Sequence, residues 1–129
     1  MAKFYQYGGT NGGSYAKYFT CILSVWENWY DIPSNSSNVG YKLELISGSS
    51  GRFSSYGADY SVTINGSVVS SGHGSYSSQS HNTAQTITEG TTTIYHNTDG
   101  SKKNMACSAV LDFASGTYSP RRFLPFWNN

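Results

Sequence analysis

The residues able to do chemistry are few and scattered. The chain holds three histidines, His73, His81 and His96, and seven carboxylates, Glu27, Asp31, Glu44, Asp59, Glu89, Asp99 and Asp112. No histidine stands four residues from another, and only Asp99 lies a few positions from one, His96. A nucleophilic serine needs a base within hydrogen-bond reach, but with 22 serines in the chain the residue type singles out no nucleophile. No Gly-x-Ser-x-Gly elbow precedes a helix. The carboxylates could supply a glycosidase-like pair, yet spacing selects none. Gly8-Gly9-Thr10-Asn11-Gly12-Gly13 and Gly48-Ser49-Ser50-Gly51 lack the Lys-Ser/Thr ending of a phosphate loop, so they read as turn glycines. Cys21 and Cys107 have no further ligands at metal-site spacing. They read as two small buried hydrophobes, with a disulfide across the sheets as the alternative. These residues lead us to expect no enzyme, no metal and no cofactor.

The strongest constellation is aromatic. Trp26, Asn28, Trp29, Tyr30 and Asp31 set two indoles and a phenol beside amide and carboxylate groups at a strand end. Flat rings next to such groups can grip a sugar, the ring stacking on its apolar face while the polar groups bond its hydroxyls. The competing reading makes Trp26 a core anchor and Trp29 a cap on its rim.

The elements that carry these residues are β-strands. Ser, Gly, Thr and Asn fill 57 of 129 positions, but aromatics reach 16%, enough to build a core that disordered chains lack. From Ser14 to Ile32, Tyr15, Lys17, Phe19, Cys21, Leu23 and Val25 alternate with Tyr18, Thr20, Ile22, Ser24 and Trp26, the period of a strand. A second strand sets Val39, Tyr41, Leu43 and Leu45 against Lys42 and Glu44. Asn65-Gly66 between two β-branched runs specifies a two-residue hairpin. Residues 72–82 read as a loop or irregular edge strand. Thr83–Thr88 and Thr91–His96 read as two strands broken at Glu89-Gly90. Asp99-Gly100 marks a turn into the alternating run that ends at Phe113. About seven short strands with regular turns predict an all-β antiparallel sandwich or small barrel. Its core should hold Phe19, Cys21, Leu23, Val25, Tyr41, Leu43, Leu45, Val62, Ile64, Met105, Cys107, Ala109 and Leu111.

Three segments follow: a flexible Gly-rich stretch at 1–13, the β domain at 14–115, and an aromatic segment at 116–129. In the last, Arg121, Arg122, Phe123, Phe126 and Trp127 are candidate partner-binding residues, packing on this domain or a neighbouring one. Only 12% of residues are charged and the net charge is +1, which disfavours a nucleic-acid partner. No apolar run is long enough for a membrane-inserted helix, and Met1-Ala2-Lys3-Phe4-Tyr5-Gln6 has no apolar signal core.

Tyr60-Ser61-Val62-Thr63-Ile64-Asn65-Gly66-Ser67, followed by Thr91-Thr92-Thr93-Ile94-Tyr95-His96-Asn97-Thr98-Asp99-Gly100-Ser101-Lys102, resembles a repeat in minor structural proteins of siphophages of Gram-positive hosts. Gly40-Tyr41-Lys42-Leu43-Glu44-Leu45 fits the same pattern. The resemblance implies a single antiparallel immunoglobulin-like β-sandwich in a virion tail, fibre or baseplate, a spacer or adhesion domain without catalytic residues. Its partners would be other virion proteins, further copies of itself, or a host cell-surface glycan. A carbohydrate-binding module is the alternative. Family members are long and multidomain, whereas this chain ends at Asn129, so a small free-standing phage inhibitor of a host system is a third reading.

Overall fold

The computed structural model describes residues 2–7, 19–47, 56–76, 84–101, 106–113, 116–118 and 121–123. Six long strands form two three-stranded antiparallel sheets packed face to face. They are β2 (Phe19–Asp31), β3 (Ser36–Ser47), β4 (Tyr56–Ile64), β5 (Ser67–Tyr76), β6 (Ala84–Tyr95) and β7 (Ala106–Phe113). The first sheet runs β2-β3-β6 and the second β5-β4-β7. A further strand, β1 (Ala2–Tyr7), extends the first sheet along β2. Two three-residue strands, β8 (Gly116–Tyr118) and β9 (Arg121–Phe123), pair with opposite halves of β7 on the edge that β4 leaves. Pro120, which has no N–H for a ladder, stands between them in the sequence.

The chain passes from the first sheet to the second twice, β3 to β4 and β6 to β7. Because β3 pairs with β6 while β4 pairs with β7, the two crossings interlock.

Between the sheets lie Cys21, Leu23, Val25, Val39, Tyr41, Leu43, Leu45, Ala58, Val62, Ile64, Ile87, Ile94, Cys107, Ala109 and Leu111. Period-two alternation thus identifies most of the interior; the Phe19 side chain and Met105 lie outside what the structure describes. The Tyr41 hydroxyl spans the layers to donate to the Val69 carbonyl at 3.2 Å. Both cysteines are free and buried.

Asn65 and Gly66 both take positive φ, 55° and 80°, the geometry that the Asn-Gly pair predicts. Gly100 is likewise positive, at 88°. Two local expectations change. Residues 2–7 form a strand: the glycines of the 1–13 stretch begin only at Gly8, after the alternation-competent Phe4, Tyr5 and Tyr7. The Gly72–Asn82 stretch, which reads as a loop or irregular edge strand, opens as an edge strand, since β5 lies at the edge of its sheet and continues to Tyr76. Nor is there a break at Glu89-Gly90, because β6 is continuous over twelve residues. Gly90 faces Tyr41, and a Cβ there would meet the tyrosine hydroxyl at 2.7 Å, so the ring of one strand fills the space the glycine leaves.

Candidate functional site

The aromatic constellation sits where β2 and β3 form a hairpin, and one irregularity decides which way its side chains point. Trp26 pairs with Gly40, Glu27 with Val39, and Trp29 with Asn38, so Asn28 is an extra residue with no opposite number. A β-bulge of this kind reverses the alternation beyond it. Strict alternation from Trp26 would put Trp29 on the opposite face. With the bulge, Trp26 and Trp29 share the outer face of the first sheet, and Glu27 and Tyr30 share the inner one.

Directly opposite residues in a ladder lie on one face, which gives three rows across β2, β3 and β6. The rows are Trp26-Gly40-Thr91, Trp29-Asn38-Thr93 and Asp31-Ser36-Tyr95. Neighbouring strands lie ~4.8 Å apart with a rise of ~3.4 Å per residue, so the patch measures roughly 10 Å across by 14 Å along. The Trp26 indole covers Gly40 so closely that a Cβ there would stand 2.3 Å from Cε2. Its Nε1–H donates to Asn28 Oδ1 at 2.8 Å, and Asn28 Nδ2 donates to Asn38 Oδ1 at 2.7 Å. One face of the indole thus lies on the backbone while its edge is fixed by an amide relay. Trp29 is 61% exposed and Tyr95 64%.

The remaining predicted residues serve the hairpin. Asp31 Oδ2 accepts from the Ser34 N–H at 3.1 Å and the Ser34 hydroxyl at 2.5 Å, closing the turn. The Tyr30 hydroxyl donates to Asn35 Oδ1 at 2.8 Å, and its ring lies 5.7 Å from that of His96. Asn35, at φ 51°, donates from Nδ2 to the Asn97 carbonyl at 2.6 Å and accepts the His96 N–H on its own carbonyl at 2.9 Å. The hairpin tip is thereby tied to the segment leaving β6.

Beneath it lies a Glu27-Ser37-His96 contact drawn from β2, the start of β3 and the residue that follows β6. The Ser37 hydroxyl donates to the Glu27 carboxylate and lies 2.6 Å from His96 Nε2. With its single proton spent on Glu27, Ser37 can only accept from Nε2–H. A nucleophilic serine requires the reverse polarity, a histidine that takes its proton, and Ser37 is fully buried. The arrangement is a polar tie inside the sandwich. Among the described residues no buried side-chain nitrogen or oxygen lacks a hydrogen bond.

Sequence spacing missed this tie, and also the Asp59–His73 pair at 2.7 Å on the exposed face of β4 and β5, because register alone unites the residues. It likewise missed Asn38, Thr91, Thr93 and Tyr95; the only local hint is that the two threonines and Tyr95 alternate with Thr92 and Ile94. The Asp99 carboxyl is held below the usual carboxylate range by the Ser101 hydroxyl and N–H. Burial pushes both Cys21 and Cys107 up to about 12. No group of three or more His, Cys, Asp or Glu that could hold a metal occurs among the described residues.

Of the proposed partner-binding residues, Arg121, Arg122 and Phe123 form β9, opposite Ser108, Cys107 and Ala106. Phe126, Trp127 and His81 lie outside the described residues. Among curated proteins no match to the chain was found. A family profile described as "Siphovirus protein of unknown function (DUF859)" matches residues 9–124, nearly the whole chain. The chain belongs to that siphovirus family.

Proposed function

We propose that this siphovirus protein is a non-catalytic interaction module of the virion, with an immunoglobulin-like fold. The fold reading is supported by the interlocked crossings. In immunoglobulin domains strand B lies beside E in one sheet and C beside F in the other. Here β3 and β6 take the first pair of places and β4 and β7 the second, with β5 at the C′ edge and β8 at the G edge. The pattern departs from antibody domains in its cysteines, since Cys21 lies on β2 and not on the B-like strand.

The observation that carries the functional reading is the division of labour at the hairpin end. Interior polar groups there are spent on one another, while two indoles, a phenol and several hydroxyls face outward on one rigid sheet. A surface of that kind binds; it offers no activated nucleophile or base.

Mass spectrometry of density-purified virions, with antibody labelling in the electron microscope, tests the assignment. Expected is a stoichiometric component labelled at the tail, fibre or baseplate. A chain found in infected-cell lysate and absent from virions overturns it in favour of the free-standing inhibitor.

A further inference from the structure

We infer that the outer face of β2, β3 and β6 at the Asn28 bulge is a binding site for a neutral oligosaccharide. This rests on the reading of the chain as an interaction module and names its ligand class.

Three observations point to that class. First, the bulge turns both indoles to one face, one residue pair apart along β3, giving two aromatic surfaces in line along the strand. The face of an aromatic ring is its negative side and attracts polarised C–H groups such as those on the flat side of a sugar ring. Trp26 is held for that use: the backbone at Gly40 supports its inner side and Asn28 fixes its edge, so its outer side meets a ligand with little ordering left to do.

Second, the polar groups between the rings suit hydroxyls. Asn38 accepts from Asn28 through Oδ1, which leaves its Nδ2 hydrogens available, and the Thr91 and Thr93 hydroxyls flank it on β6. Amides and hydroxyls both donate and accept, as a sugar hydroxyl requires.

Third, the patch carries almost no charge. Its one ionisable acid is Asp31, whose Oδ2 is engaged by Ser34, and it contains no Lys or Arg. The nearest cation on that face, Lys42 in the row beyond Gly40, is paired with Glu44 at 3.7 Å and stands opposite Glu89, so a phosphate, sialic acid, uronic acid or acidic peptide finds no uncommitted counter-charge. With a span of roughly 10 by 14 Å, the site suits an oligosaccharide better than a single ring.

The test uses the full chain on an array of oligosaccharides built from hexoses, 6-deoxyhexoses and N-acetylhexosamines, printed beside sialylated, uronic-acid and phosphorylated glycans. Hits are then titrated by calorimetry and by NMR of the indole N–H signals. Expected is binding to neutral glycans, weakened about tenfold or more by Trp29→Ala and measurably by Thr93→Ala. Val68→Ala, an exposed position on β5 of the other sheet, should leave affinity unchanged. Trp29 is exposed, so its variant keeps the wild-type melting temperature and the loss reads as lost contact. Absence of neutral-glycan binding at millimolar concentration, binding restricted to charged glycans, or affinity that survives Trp29→Ala each overturns the inference. Virion mass spectrometry is scored separately: a virion component that binds no glycan sinks the ligand assignment alone. A glycan binder absent from virions sinks the module reading and leaves the site.

Discussion

Cys21 and Cys107 show how burial sets the chemistry of a single side chain. Both thiols lie in the apolar interior, where the charged thiolate is penalised, and both rise from 9.0 to about 12. Only the thiolate attacks a disulfide reagent. At pH 8 both should therefore resist an aromatic disulfide reagent for as long as the protein stays folded, and two equivalents should react at once in guanidinium. Rapid labelling of either thiol in the native protein would show that its strand opens. The folded values exceed the unfolded ones, so the neutral thiols are the forms that folding favours. Their contribution is complete below about pH 9 and declines as pH rises toward about 12, because the unfolded chain releases protons that the folded one keeps. A urea titration series from pH 7 to 11 should show stability falling through that window.

At the scale of strands and turns, the Asn65-Gly66 hairpin isolates one backbone term. Gly66 has φ 80° and nothing within 4 Å of where a Cβ would project, so Gly66→Ala introduces no clash and only left-handed strain. The cost should be about 1–2 kcal/mol, read as a lower urea midpoint with an unchanged slope. Such features were legible in the sequence because they are local: the Asn-Gly and Asp-Gly turns, and the alternation that placed Leu23, Leu43, Val62 and Leu111 inside. What was hidden depended on register. No property of Asn28 itself announces a bulge, yet it decides that Trp29 faces outward with Trp26 and that Tyr30 turns toward His96. Thr91 and Thr93 join the site only through the pairing of β6 with β3. Gly90 reads as a break in the sequence because the ring that covers it comes from 49 residues earlier, at Tyr41.

For the molecule as a whole, the interlock means that neither sheet can be completed before the chain has crossed between both. Leu43 is fully buried at the centre of this arrangement, on β3 between β2 and β6. Leu43→Ala should cost about 2–5 kcal/mol, with fluorescence and far-ultraviolet circular dichroism melting together at a lower temperature. A change below about 0.5 kcal/mol is at odds with its burial. Three ladder pairs distributed over both sheets set an aromatic ring against a glycine: Trp26 with Gly40, Tyr41 with Gly90, and Tyr60 with Gly72. In each, a Cβ on the glycine would stand 2.7 Å or less from the ring or its hydroxyl. Each pair is thus a one-way lock in sequence space, in which the glycine cannot gain a side chain while the ring stays. Gly40→Ala alone should be destabilising, and the same change in a Trp26→Ala background much less so. The double-mutant cycle should return a coupling of about 0.5–3 kcal/mol. Descendants of this sequence that gain a side chain at position 40 are expected to have first given up the indole across from it.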